Sequence, residues 1–320
     1  MSVVERLDRF QRTHPRAGLP IAVVYKFVDD QGNYLAALIT YYAFLSLFPL
    51  LLLSSTILSF VLQGHPDLQQ RVLDSALGQF PIVGTQLADP HGVSGSGFGL
   101  VIGILGTLYG GLGVSLAAQN AMNTVWRVPR NERPNPLAGR IRGLLLLVVV
   151  GAAMMGTTAL AALGSTFDGF GIGTKIVIGI GTFALNAVVF VVAFRVATAR
   201  DISLRETAPG AVAAAVVWQI LQYVGAIYVA HVVRGASEIN GVFALVLGLI
   251  AWIYLESLVV VLAVEVNTVR SMKLYPRALL TPFTDDVDLT PADEESYTQQ
   301  AEATRAKGFE EIIVEFDPPP

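Results

Sequence analysis

The chain has no cysteine among its 320 residues, and only 14% of its residues are charged. The missing thiols exclude disulfide bonds, cysteine nucleophiles and cysteine-ligated metals. Charged residues make up about a quarter of an average soluble domain, so this shortage, with 53% hydrophobic residues, indicates an integral membrane protein. Histidine is scarce too, and no two of the four histidines have the spacing of a helical metal-ligand pair. The sequence also lacks a nucleophile elbow, a Walker loop and a dinucleotide fingerprint, so it predicts no catalytic residue, metal or cofactor.

Long apolar runs dominate what is present. A membrane-spanning helix needs about 20 apolar residues, and six stretches are long enough. They are continuous rather than alternating, which excludes a transmembrane β-barrel. The sequence therefore predicts an all-α, polytopic membrane protein with six transmembrane helices, at about Tyr34–Leu62, Phe98–Ala121, Ile141–Gly164, Lys175–Arg195, Thr207–Ala230 and Gly241–Val269.

Basic residues are divided very unequally between the two sides of this predicted bundle. Sixteen lysines and arginines flank the spans on the side of the N-terminus, against three on the other side. Lysine and arginine accumulate in cytoplasmic loops, so both termini are predicted to be cytoplasmic, which agrees with six spans. Because topology explains these arginines, they do not indicate a nucleic-acid partner.

Three regions follow from these patterns. Residues 1–33 carry apolar side chains at helical spacing opposite charged ones and predict cytoplasmic interfacial helices, either on the inner leaflet or packed on the bundle. Residues 34–270 form the six-helix transmembrane domain. Residues 271–320 are rich in aspartate and glutamate and predict a mostly disordered acidic tail, which either solubilises the chain or binds a partner.

The first span contains a proline in the stretch "TYYAFLSLFPLLLLSS". Pro49 cannot donate the backbone hydrogen bond that the carbonyl of Leu45 would accept, and Ser46 is close enough to bond backbone in that turn. Tyr42, Ser46 and Pro49 are spaced by four and three residues and share one helix face. We expect this polar face to point into the bundle.

Several spans carry polar residues near mid-membrane depth. A carboxylate there costs several kcal/mol unless it is paired, protonated or hydrated, so it is a functional candidate. Alternatively, such residues only hold helices together. Glu256 and Glu265 lie nine residues apart on opposite faces of the sixth span, and Asn267 shares the face of Glu256. The predicted transport-path residues are Tyr42, Ser46, Pro49, Asn186, Gln219, Gln222, Glu256, Glu265 and Asn267.

Two further predictions concern contacts between helices. Arg195 and Glu265 end their spans at similar depth, so an ion pair between them is expected. Span two repeats glycine at four-residue spacing, which lets another helix approach closely. The predicted packing positions are Gly99, Gly103, Gly106 and Gly110.

Three motifs carry a family resemblance: "YYAFLSLFPLLLL", "NTVWRV" and "LIAWIYLESLVVVLAVEVN". Over about residues 20–275 the chain resembles the YihY/BrkB family of bacterial inner-membrane proteins. The chain departs from the family pattern with Ala263 and Val264 before Glu265, and Glu256 is not part of that pattern, so the resemblance favours Glu265 over Glu256. The matching positions are Tyr42, Ser46, Pro49, Asn123, Trp126, Trp252, Tyr254, Glu265 and Asn267.

The resemblance implies a six-helix protein in the cytoplasmic (inner) membrane of a bacterium. Members are often described as transporters, some are linked to envelope integrity or lipid export, and the family has carried a ribonuclease label. The sequence argues against ribonuclease activity, because it lacks a histidine/aspartate metal cluster. We expect a transporter or flippase for a lipid or other amphiphilic envelope molecule. The alternative is a non-transporting membrane scaffold for envelope-assembly partners.

Overall fold

The computed structural model describes residues 3–61, 97–166, 172–232 and 238–317, and in these ranges the regular structure is helical, with no strand. This confirms the all-α prediction. The nine α-helices of the described ranges are α1 (Val3–Thr13), α2 (Pro15–Asp29), α3 (Gly32–Val61), α4 (Gly97–Val125), α5 (Pro136–Thr166), α6 (Ile172–Ala197), α7 (Leu204–Val232), α8 (Glu238–Ser271) and α9 (Pro291–Glu302).

Four helices of the described part are long and apolar enough to cross a membrane. These candidate spans are Pro136–Thr157, Ile176–Ala197, Leu204–Gly225 and Val246–Ser271. Helices α3 and α4, of 30 and 29 residues, coincide with the first two predicted runs. The count of six spans and the side on which the termini lie stay predictions.

The six long helices pack in a closed order, in which each of α3 to α8 contacts the next and α8 returns to α3. Large apolar side chains such as Val148, Ile180 and Val188 remain exposed on the outside of this ring. An exposed apolar surface of this kind suits contact with lipid. The largest group of buried apolar residues includes Trp126, Phe194 and Val261.

One end of the ring is covered by polar segments, and we call it the polar end. It comprises the C-terminal part of α2, residues 126–135 between α4 and α5, residues 198–203 between α6 and α7, and residues 272–317. Backbone and side-chain bonds join these segments; for example, Arg305 pairs with Glu132 at 2.7 Å and Gln300 Nε2 donates to the carbonyl of Asp29 at 3.2 Å.

The acidic C-terminal region, which is predicted to be mostly disordered, contains helix α9. Thr290 and Asp293 form a capping box at the start of α9, with Pro291 in the first turn. The Asp293 carboxylate also pairs with Arg277 and accepts a hydrogen bond from the Ala278 amide at 2.9 Å. Arg277 is fully buried and reaches Asp29 at 3.1 Å, so one cation holds α9 against the end of α2.

The N-terminal helix contacts the same region. Gln11 of α1 donates to the carbonyl of Arg277, and Asp8 accepts a hydrogen bond from the amide of Leu279 at 3.0 Å. Leu7 and Phe10, which lie on a neighbouring face of α1, are exposed. The helix is therefore packed on the polar end through Asp8 and Gln11, while Leu7 and Phe10 remain available to an apolar environment.

Candidate functional site

A cluster of buried charges lies at the polar end, between α2, the end of α4 and α8. Lys26 is fully buried, and its Nζ lies 2.5 Å from Asp30 Oδ2 and 3.0 Å from Glu265 Oε2. The same ammonium donates to the carbonyl of Val125 at 2.7 Å. Three groups from three segments therefore surround one lysine, as its three N–H donors require.

Arg127 completes the cluster from the end of α4. Its Nη2 lies 2.6 Å from Asp30 Oδ1, so Asp30 is held between two cations. Glu265 is completely buried, and its Oε1 has no hydrogen-bond partner within the described residues. We call Lys26, Asp30, Arg127 and Glu265 the charge cluster. Two formal positive and two negative charges balance, but one carboxylate oxygen of Glu265 is left without a bond.

Local backbone geometry brings these side chains together. Asp30 caps the C-terminus of α2, one turn after Lys26, so the two residues face each other at i and i+4. Helix α4 ends with Val128 N bonded to Asn123 O and Arg127 N bonded to Thr124 O. This Schellman arrangement places Arg127 at the left-handed position, with φ 52°, where glycine is the usual residue. The chain thus carries a strained arginine where glycine would cost less, which is consistent with a need for its side chain.

Two asparagines connect the helix ends around the cluster. Asn123 Oδ1 accepts a hydrogen bond from the amide of Ala199 at 2.7 Å and joins α4 to the segment after α6. Asn267 Oδ1 accepts from the amide of Gly210 at 2.6 Å, and its Nδ2 donates to the carbonyl of Thr207 at 3.0 Å. Asn267 is therefore buried in α8 with its side chain bonded to the backbone of α7.

Tyr42, Ser46 and Pro49 form one face of α3, which we call the Tyr42 stripe. The structure places this stripe against the glycines of α4. A methyl group added to Gly106 would lie 2.7 Å from Pro49, and one added to Gly110 would overlap Ser46. Ser46 Oγ donates to the carbonyl of Ala43 at 2.9 Å, within its own helix. The stripe thus points into the bundle as predicted, and it forms a close helix contact with α4.

The glycine prediction agrees with this contact at Gly106 and Gly110. Gly103 is buried, while the surroundings of Gly99 lie outside what the structure describes.

The other predicted path residues are not joined to one another. Glu256 Oε1 accepts a hydrogen bond from Trp252 Nε1 at 2.8 Å, which is a contact within α8. Asn186 and Gln222 are half-buried and Gln219 is exposed. No hydrogen bond links any two of these four residues in the described part of the chain. Their role in a path stays a prediction.

The expected pair of Glu265 with Arg195 is corrected by the structure. Glu265 bonds to Lys26 from α2, and Arg195 is exposed near the end of α6. Depth along the helices was the only basis for the expectation, and depth does not say which way a side chain faces around a helix. Lys26 and Asp30 were missed, although a single lysine in the apolar stretch "PIAVVYKFVDD", four residues before an aspartate, is a usable signal.

The long apolar helices, the exposed apolar ring surface and the buried charge cluster define a polytopic helical membrane protein. A family model described as "Virulence factor BrkB" matches residues 23–282, which include every member of the charge cluster. The chain belongs to this family.

Two curated relatives agree with this assignment. A UPF0761 membrane protein of Psychrobacter sp. (strain PRwf-1) is 24% identical over 286 residues, which cover 83% of this chain and 52% of the relative. The inner membrane protein YhjD of Escherichia coli (strain K12) is 38% identical over 76 residues, which cover 24% of this chain and 22% of the relative. The matches thus span about half of the first relative and about a fifth of the second. No solved structure matches the chain significantly.

Proposed function

We propose that this chain moves an amphiphilic envelope molecule, a lipid or a lipid-linked compound, across the inner membrane of a bacterium. The observation that carries the proposal is the fully buried Glu265, which is bonded to Lys26 through one oxygen and has no hydrogen-bond partner for the other among the described residues. Support for the location comes from the printed name of the Escherichia coli relative, an inner membrane protein, and from the arginine distribution.

Energetics favour a functional role for the charge cluster. Replacing buried ion pairs by packed apolar residues is often neutral or stabilising, so such pairs are weak devices for stability alone. An ionisable residue within a membrane segment is a functional candidate by default. Both arguments apply to Glu265, because it is a completely buried member of an ion pair and lies in the candidate span Val246–Ser271.

The charge cluster has two protonation states, one with Glu265 charged and one with Glu265 neutral. Lys26 belongs to α2, which packs on α8 and is not one of the six helices of the ring. When Glu265 takes up a proton, its ionic attraction to Lys26 is lost, while Asp30 remains as the partner of the lysine. We infer that α2 then moves away from α8 and opens the polar end. The half-buried Asn186 and Gln222 would serve as polar contacts for the headgroup in the open state.

Lipid translocation in proteoliposomes tests this function. We expect the intact protein to translocate at least one lipid class and the Glu265→Gln variant to lose this activity, because glutamine cannot alternate between a charged and a neutral form. Glu132→Gln is the matched control, since Glu132 is an exposed carboxylate that pairs with Arg305. It should translocate as the intact protein does.

Folding of each variant is checked by circular dichroism and by elution as a single species. Translocation that is unchanged in folded Glu265→Gln would contradict the role of Glu265. No translocation by the folded intact protein, across several lipid classes, would favour the scaffold function. The close contact between the Tyr42 stripe and α4 is compatible with that alternative.

A further inference from the structure

A cavity of about 380 Å³ lies at the polar end, next to the charge cluster. Its walls come from four separate segments: the end of α4, residues 198–206, the end of α8, and α9. The residues that line it include Trp126, Arg127, Arg200, Glu206, Gln299 and Glu302.

Two residues of the cavity lining carry buried hydrogen-bond donors without acceptors. Trp126 and Arg127 are 1% and 8% exposed, and neither Trp126 Nε1 nor Arg127 Nε has a hydrogen-bond partner in the described part of the chain. The guanidinium of Arg200 lies 5.9 Å from the centre of the Trp126 ring and adds an exposed cation. Buried donors are normally bonded, and leaving one without a partner is unfavourable. An anion with several acceptor oxygens would satisfy these donors.

Other residues of the lining carry acceptors. Gln299 Oε1 is buried without a hydrogen-bond partner among the described residues, whereas its Nε2 donates to Glu295. Glu302 adds an exposed carboxylate. Glu206 is already occupied, because Ser203 and Ser271 donate to its two oxygens at 2.7 Å each. A positively charged donor would satisfy Gln299 and Glu302.

We propose that this cavity binds a zwitterion that carries a phosphate and a primary ammonium, the chemistry of O-phosphoethanolamine. The phosphate contacts Trp126, Arg127 and Arg200, and the ammonium contacts Gln299 and Glu302. The volume is within the usual range for small-molecule pockets. The ligand is either a free solute or the headgroup of a lipid, since the cavity adjoins the end of the span Val246–Ser271. This binding site does not depend on the proposed transport activity.

Fluorescence of Trp126 reports on the site directly. The full chain contains three tryptophans, so Trp218→Phe and Trp252→Phe leave Trp126 as the single emitter. The protein is placed in nanodiscs of phosphatidylglycerol, which has no ammonium, and titrated with O-phosphoethanolamine. We expect a saturable change in emission. Arg200→Gln should weaken binding about tenfold, as expected for loss of one charge-assisted bond.

A second comparison tests the ammonium half. Glu302→Gln should weaken binding of O-phosphoethanolamine and leave binding of inorganic phosphate unchanged. If the ligand is a lipid headgroup, nanodiscs that contain phosphatidylethanolamine should produce the emission change without added solute. If the ligand is a free solute, the emission should change only when O-phosphoethanolamine is added. Calorimetric titration of the unsubstituted protein with the same ligands repeats the test without the tryptophan substitutions.

Three results would overturn the inference. The first is no saturable response to O-phosphoethanolamine or to phosphatidylethanolamine by either method. The second is binding that is unchanged in Arg200→Gln, which would place the ligand elsewhere. The third is inorganic phosphate binding as tightly as O-phosphoethanolamine, which would remove the ammonium from the proposal.

Discussion

Replacing Lys26 with methionine is expected to lower the free energy of unfolding by about 3–5 kcal/mol, because the substitution leaves a buried charge without its partner. In the native chain Lys26 is bonded to Asp30, Glu265 and the carbonyl of Val125. Without it, Arg127 is the one cation of the cluster that remains for two buried carboxylates. Unfolding in detergent, followed by circular dichroism, measures the loss.

An exposed ion pair provides the control. Arg305 pairs with Glu132 at 2.7 Å, with side chains 34% and 54% exposed. Arg305→Met should cost at most about 1 kcal/mol. The double variant Lys26→Met/Glu265→Met should recover more than half of the loss, since it removes both members of the buried pair. A loss for Lys26→Met no larger than that for Arg305→Met would show that the buried carboxylates do not depend on Lys26.

Gly210→Ala is the second substitution with a large expected effect. A methyl group at this position would overlap the backbone carbonyl of Ala263 and approach the side chain of Asn267. A backbone atom of a neighbouring helix cannot rotate away, so α7 and α8 would have to separate. The amide of Gly210 would then lose its hydrogen bond to Asn267. We expect a loss of at least about 3 kcal/mol, the upper end of overpacking costs, or failure to fold.

Gly179→Ala is the matched control for this substitution. Gly179 lies within α6, and an added methyl group would meet nothing within 4 Å. Because alanine has the higher helix propensity, this variant should be as stable as the native chain or more so. Equal melting temperatures for Gly210→Ala and Gly179→Ala would show that α7 and α8 are not in close contact at this point.

Much of the architecture could be predicted because apolar length is a strong signal. The long runs correspond to helices, and the glycines at positions 106 and 110 lie where a neighbouring helix comes close. Glu265 was singled out as a carboxylate in an apolar span, and the structure buries it completely. Apolar length, glycine spacing and a carboxylate within an apolar run are each properties of one segment, so they can be read from the sequence directly.

Features that depend on how segments meet could not be predicted in the same way. The partner of Glu265 is Lys26, on a helix 239 residues away in the chain, and depth alone suggested Arg195. The acidic composition after residue 270 predicts a mostly disordered tail and gives no sign of a helix. The sequence "TPAD" at Thr290–Asp293 is a capping-box signal, and with it the start of α9 could have been found.

Burial also affects Asp29, which lies where α9 covers the end of α2. It raises the pKa of Asp29 above its ordinary value, and the nearby Arg277 guanidinium partly offsets the rise. The pairing with Arg277 therefore favours the charged form of Asp29 where α9 covers α2. Composition gives no indication of such a contact.

The distance between α2 and α8 tests most directly the claim that the Lys26–Glu265 pair holds these helices together. Spin labels can be attached to cysteines introduced at Val24 and Arg270, both exposed, in a chain that has no other cysteine. We predict one narrow distance distribution for the otherwise native chain and an additional longer distance for Glu265→Gln, which mimics the protonated carboxyl. A distribution that Glu265→Gln leaves unchanged would contradict the account.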